Sequence, residues 1–100
     1  MIIFSKSWCP HSKRAKKLLL DQYAIEPAPY VVELDENPSG AAIQKLLATK
    51  THRSTVPNVL VSGISIGGAD DVVQLDQEDK LIESLERLGS GKVTAVRVGG

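Results

Sequence analysis

Met1–Phe4 is a run of four apolar residues, and six positions after it Pro10 opens a stretch with helical spacing. So short an all-apolar run is the pattern of a strand buried on both faces. Pro10 fits the first helical position, where its missing N–H costs nothing. Ala15, Leu18, Leu19 and Gln22–Tyr23 then recur at helical spacing with lysines on the other face, which predicts a helix from Pro10 to about Tyr23. Tyr30–Leu34 reads as a second buried strand between Pro29 and the turn Asp35–Pro38. Strand, helix and strand in that order imply a right-handed parallel crossover, which places the chain in the α/β class.

The remaining elements extend this unit. Ser39 or Asn37 is placed to cap a helix carrying Ile43, Leu46 and Leu47 on one face. Asn58–Val61 is a third strand, Ser62-Gly63 a hairpin turn, and Ile64–Ile66 a fourth strand that ends at Gly67-Gly68. Asp70–Gln74 and Glu78–Leu88 read as helices, the second with Leu81, Ile82, Leu85 and Leu88 as its buried stripe. The tail "KVTAVRV" alternates apolar and polar residues, and the range 91–100 is expected to supply an extra edge strand. The order β-α-β-α-β-β-α is that of a thioredoxin-like sandwich: a central mixed four-stranded sheet flanked by helices, with residues 1–100 as one domain.

Composition narrows the function classes. At 42% hydrophobic the chain is too apolar for disorder. Twelve Lys plus Arg balance twelve Asp plus Glu, so no global charge argues for nucleic acid or a membrane surface. No apolar run approaches the roughly 20 residues of a membrane span, and no signal peptide is visible. The chain opens directly on strand residues, which suggests a fragment whose N-terminal segment was removed. The single cysteine, Cys9, excludes an internal disulfide and a multi-cysteine zinc site within one chain.

Cys9 stands at the strand-to-helix turn. A helix N-terminus presents unpaired N–H groups and a positive dipole end, and both favour thiolate over thiol. Lys6, Lys13, Arg14, Lys16 and Lys17 crowd the same stretch, so the thiol is expected to titrate below its free value. Trp8 and Pro10 are expected to hold it shallow and partly exposed. A lone cysteine is also often a small buried hydrophobe, and the basic run also fits a solvated helix face. Lys6 precedes the helix and can face the same groove as Cys9, whereas His11 and His52 are read as solvent-facing and enter no catalytic set.

Two further stretches carry chemistry. In "STVPN" (54–58) a cis Val56–Pro57 bond would turn the Val56 backbone outward to pair with a peptide, although a trans proline starting a strand fits equally well. In "GGADD" (67–71) two glycines permit close backbone approach, and Asp70 and Asp71 either cap the following helix or receive a ligand ammonium. Together the three stretches offer a nucleophilic sulfur, an exposed backbone edge, cations at one end and carboxylates at the other. That suits a peptide with a thiol in its middle and opposite charges at its ends.

"SKSWCPHS", "STVPNVLVSG" and "IGGADD" occur in the order and spacing of the glutaredoxin family, which the chain closely resembles over nearly its whole length. With Ser12 where a second cysteine would stand, and the tail "LIESLERLGSGKVTAVRV", it looks most like the monothiol glutaredoxins of the fungal secretory pathway. The resemblance implies glutathione lying along a groove, with Cys9 as nucleophile and Pro10 and His11 beside it. Lys6 would approach the glycine carboxylate, and Gln44 and Arg53 would serve that end. Thr55 and Val56 would hold the cysteinyl backbone before a cis Pro57, and Gly68, Asp70 and Asp71 would hold the γ-glutamyl end. His11 replaces the tyrosine commonest at its position, and Ser12 closes the dithiol route.

The activity so implied is glutathione-dependent reduction of protein–glutathione mixed disulfides through Cys9, with glutathione and glutathionylated proteins as partners and no nucleic acid or membrane contact. The competing expectation is a [2Fe–2S] carrier or sensor, in which Cys9 and glutathione from two chains ligate the cluster. Pro10 beside Cys9 and the lack of a Cys-Gly-Phe-Ser motif favour the enzyme, and a metal would be held only through Cys9. The enzyme is expected to be a monomer, a dimer forming only around a cluster. The resemblance favours a secretory-pathway lumen, with the cytoplasm second.

Overall fold

The computed structural model describes residues 1–99; Gly100, the last residue of the expected tail range, lies outside them. The strands are β1 (Ile2–Ser5), β2 (Tyr23–Glu26), β3 (Tyr30–Glu33), β4 (Asn58–Val61), β5 (Ile64–Gly67) and β6 (Thr94–Arg97). The helices are α1 (Pro10–Lys16), α2 (Gly40–Thr51), α3 (Ala69–Gln77) and α4 (Leu81–Leu88). A π-helical turn, Lys17–Asp21, continues α1, and a 3₁₀ turn, Leu34–Glu36, follows β3.

The central sheet has the order β3-β1-β4-β5. β1 pairs parallel with β3, from Ile2 beside Tyr30 to Ser5 beside Glu33, and antiparallel with β4. This is the mixed four-stranded sheet of a thioredoxin-like sandwich. Ile3 of β1 and Val59 and Val61 of β4 are fully buried in one core with Ala15, Leu19, Val72, Leu81 and Leu85 from the helices. Each such Leu, Ile or Val contributes about 1.5–3 kcal/mol by leaving water. Asn58 alternates to the opposite face of the sheet, where its side-chain amide donates to Thr51 Oγ1 of α2 at 3.0 Å. Gly40 packs α2 so closely on the 3₁₀ turn that a Cβ there would lie 1.9 Å from the Leu34 carbonyl oxygen.

Three expectations are corrected. The helix from Pro10 stops at Asp21, and Tyr23, expected in its last turn, opens β2. Tyr23 stands at helical spacing from Leu19, but Tyr23–Glu26 also alternates buried and exposed, and a partner for that strand exists. The partner is β6: the expected C-terminal strand is present, and it joins β2 in a separate two-stranded ribbon rather than the central sheet. On α2 the expected stripe of Ile43, Leu46 and Leu47 is broken: Leu47 is buried, Ile43 half-buried and Leu46 exposed.

The ribbon is tied to the domain by charge. Tyr23 Oη donates to Asp76 Oδ1 of α3, and Arg97 of β6 pairs with Asp76 and donates to Tyr23 Oη at 2.9 Å. Burial pushes the Asp76 carboxyl up, but the Tyr23 and Arg97 bonds and the Arg97 charge outweigh it and hold its pKa below the usual value. A lowered carboxyl contributes stability above its unfolded pKa and loses it as pH falls through the folded one. Asp76→Asn should therefore cost about 1–2 kcal/mol near neutral pH. Urea unfolding followed from neutral to acidic pH should show the gap between wild type and variant closing; a gap independent of pH would refute the ionised network.

Candidate functional site

Cys9 is the N-cap residue of α1, one loop beyond the carboxyl end of β1. The loop is bonded at nearly every step. Lys6 N–H donates to Ser12 Oγ at 3.3 Å, Ser7 N–H to Asp35 Oδ1 at 2.9 Å, and Cys9 N–H to the Lys6 carbonyl at 3.1 Å. Ser7 Oγ also donates to the second oxygen of Asp35. This clamp prolongs the parallel register: Ser5 faces Glu33, and two residues on Ser7 meets Asp35. The same offset brings Ser5 Oγ to Glu33 Oε1. That regularity is the signal that would have found Asp35, which motif matching passed over.

Cys9 is buried, only 7% exposed, contrary to the shallow position expected from its flanks; Trp8 takes the exposed place at 64%. Its thiol pKa is nevertheless lowered. The Ser12 N–H contributes most, burial works against it, and the Ser12 hydroxyl, the His11 N–H and the Lys6 charge complete the effect. The Cys9 side chain itself makes no cap hydrogen bond to α1. Of the basic run, only Lys6 is among the causes: Lys16 is paired with Glu33 at 2.7 Å and Arg14 with Asp70. Ser12 is fully buried, and its hydroxyl can accept from Lys6 while donating to the sulfur. It keeps a polar role where a resolving thiol would otherwise stand.

Against the first turn of α1 lies an open groove of about 330 Å³ lined by His11, Arg53, Thr55, Val56, Pro57, Gly68, Ala69, Asp70 and Asp71. All but Ala69 were singled out from sequence; Lys6, Cys9, Pro10 and Gln44 stand outside the lining. The Val56–Pro57 peptide is cis, as is Glu26–Pro27, which sequence did not suggest. Among the described residues, no backbone–backbone hydrogen bond uses the Val56 N–H or C=O. Gln44 Nε2 donates to the Ser54 carbonyl at 2.9 Å and so steadies the loop before Thr55.

The carboxylates at the other end are not bare. Asp71 Oδ2 accepts from Gly68 N–H at 2.8 Å, capping α3, and from Arg53 Nη2 at 2.8 Å. Arg53, assigned to the end opposite Asp71, is thus held at the Asp71 end of the groove. Asp70 is paired with Arg14, a residue sequence reading left on the solvated face. Arg14 lies three residues after His11, on the same side of α1, and that spacing carried the clue. Gly67 has φ +107°, and a Cβ there would lie 2.3 Å from Asp71 Oδ2. Only glycine fits.

The glutaredoxin family model matches residues 1–66. Baker's yeast (Saccharomyces cerevisiae) monothiol glutaredoxin-7 is 40% identical over 94 residues, covering 94% of this chain and 46% of that protein. The chain belongs to the glutaredoxin family. Rice (Oryza sativa) glutaredoxin-C8 is 42% identical over 85% of the chain and 62% of its own length, so this glutaredoxin spans about half to three-fifths of such relatives. Relatives at 39–42% identity include both fungal and plant proteins. Among solved structures, a buckwheat glutaredoxin–glutathione complex superposes with TM-score 0.74 at 37% identity, covering 88% of this chain and 77% of that one. The holo form of poplar (Populus tremula x tremuloides) glutaredoxin C1 gives 0.77 at 39%, covering 89% and 78%.

Ser12→Ala keeps the backbone donor and deletes the hydroxyl. It should raise the Cys9 pKa without returning it to the usual thiol value, as read by the pH dependence of thiolate ultraviolet absorbance. An unshifted titration would remove Ser12 Oγ from the account.

Proposed function

We propose that this domain is a glutathione-dependent thiol–disulfide oxidoreductase that reduces protein–glutathione mixed disulfides by a monothiol route. The observation that carries the reading is the juxtaposition at one groove. A lone cysteine held toward thiolate caps the helix whose His11 lines a groove with an unpaired Val56 backbone, Arg53, Asp70 and Asp71. Membership of the glutaredoxin family and the buckwheat protein's complex with glutathione support it.

Glutathione suits such a groove by charge and by its peptide backbone. Asp70 and Asp71 offer oxygens to its ammonium, the Val56 edge matches its cysteinyl amide, and Lys6 answers a carboxylate. Arg53 lies close enough to Asp71 to take a carboxylate on the γ-glutamyl residue itself. In the first step the Cys9 thiolate attacks the glutathione sulfur of the mixed disulfide. The S–S bond of the mixed disulfide breaks as the bond from Cys9 Sγ to the glutathione sulfur forms, the protein thiolate leaves, and it takes a proton from water. A second glutathione thiolate then attacks the disulfide on Cys9, releasing glutathione disulfide and restoring the Cys9 thiolate. Ser12 cannot intercept the intermediate, so external glutathione must resolve it.

Glutathione-coupled turnover of a glutathionylated peptide tests the reading. Cys9→Ser should lower it by about 1,000-fold or more. Wild-type kinetics should be ping-pong, and kcat/KM should rise with pH through a thiol pKa below the usual value. Turnover that survives Cys9→Ser would remove the nucleophile. An inactive, folded protein that gains visible absorbance on anaerobic reconstitution with iron and sulfide would favour the [2Fe–2S] reading instead.

A further inference from the structure

The groove accounts for only one side of Cys9. His11 and Arg14 face it, His11 in its wall and Arg14 paired with Asp70 across it. Lys13 is two residues from His11, about 200° around the helix, and Lys17 lies one turn beyond Lys13 on the same stripe. Both are exposed, and among the described residues neither is in an ion pair. Trp8 immediately precedes the N-cap and Lys13 is the fourth helical residue, two positions that the start of a helix brings together. Lys6 Nζ sits 5.8 Å from the centre of the Trp8 ring.

The result is an exposed indole with the Lys6 ammonium near its ring, next in sequence to Cys9, and two unpaired lysines, Lys13 and Lys17, on the outer face of the helix that Cys9 caps. An exposed tryptophan has an apolar face to cover, and here its place is set: Ser7, its neighbour, is held twice by Asp35. The nearby acids are mostly committed, Glu33 to Lys16 and Ser5, and Asp35 to Ser7. Glu36 and Asp21 are exposed at the margins. The loop that carries the thiol is therefore flanked by an exposed aromatic ring and by three cations free of ion pairs among the described residues, Lys6, Lys13 and Lys17, with the charge of Asp35 held at Ser7.

Resting on the oxidoreductase reading, we propose that the Lys6–Trp8–Lys13–Lys17 face docks the polypeptide half of the mixed disulfide and selects cysteines in acidic, extended segments. Attack on the glutathione sulfur requires three sulfurs nearly in line, with the protein sulfur leaving on the far side from Cys9. With glutathione filling the groove, the polypeptide lies over the opposite rim. There a backbone and its neighbouring side chains cover Trp8, and carboxylates flanking the cysteine meet Lys13 and Lys17. Such pairs act mainly on capture, through kcat/KM and its salt dependence.

The experiment compares three substrates at low and high salt. Two are peptides with one glutathionylated cysteine, flanked by glutamates in one and by lysines in the other; the third is the mixed disulfide of glutathione with mercaptoethanol. At low salt kcat/KM for the acidic peptide should exceed that for the basic one by about tenfold, two exposed pairs at up to about 0.7 kcal/mol each, and salt should erase most of the preference. Lys13→Glu with Lys17→Glu should abolish or invert the ratio while leaving the small disulfide unchanged, which also shows that the variant is folded. Should that reversal unfold the chain, Lys13→Gln with Lys17→Gln should bring the ratio close to one. Trp8→Ala should raise KM for both peptides several-fold. Equal turnover of the two peptides at low salt, or a ratio indifferent to the lysine substitutions, would overturn the docking surface while leaving the oxidoreductase standing. Failure to turn over even the small disulfide would overturn both.

Discussion

The parallel pairing of β1 with β3 is the constraint on which the rest of this structure depends. A parallel neighbour cannot be reached by a tight turn, so the chain leaves β1 through α1 and crosses the sheet before returning. That crossing places Cys9 where a central strand ends and a helix begins. It also makes Ser5–Glu33 and Ser7–Asp35 opposite numbers, and those two contacts fix the loop that carries Lys6, Trp8 and Cys9. The nucleophile's position follows from sheet register before any feature of the groove is considered.

Electrostatics at the site is arranged in closed local pairs. Asp71 caps α3 and holds Arg53; Asp70 reaches back to Arg14; Glu33 takes Lys16. The two aspartate pairs are largely exposed, so each contributes little to stability, about 0–1 kcal/mol, and Lys16–Glu33 is the most buried of the three. Their consequence is organisational: they decide which cations remain available. Lys6 acts on the thiol, and Lys13 and Lys17 are left on the outer face. A chain with no net charge thereby leaves lysines free of ion pairs, among the described residues, on the helix that its one cysteine caps.

The central sheet and most of the groove were legible in the sequence because each depends on short stretches. Four apolar residues mark β1, Pro10 marks a helix start, and "STVPN" and "GGADD" contain the bends they form. The strand in the tail was legible from its alternation, but β2 and its pairing with β6 were not, for the opposite reason. Tyr23–Glu26 and Thr94–Arg97 are far apart in the chain, and Tyr23 satisfies helical spacing from Leu19 as well as strand alternation. Only a partner strand decides between the two. Arg14 and Arg53 belong to the same class, since long cationic side chains choose among carboxylates by reach across the fold.

The sequence by itself determined that a single thiol stands at a strand-to-helix turn, that Ser12 removes any internal resolving sulfur, and that a proline loop and a glycine turn accompany it. Those are properties of neighbouring residues, and neighbouring residues are what local backbone preferences read. Tertiary structure decided how far the thiol is buried, which donors face it, and which charges are spent on partners before a ligand arrives. These depend on packing between segments distant in the chain, where burial and reach, not order along the sequence, choose the contacts.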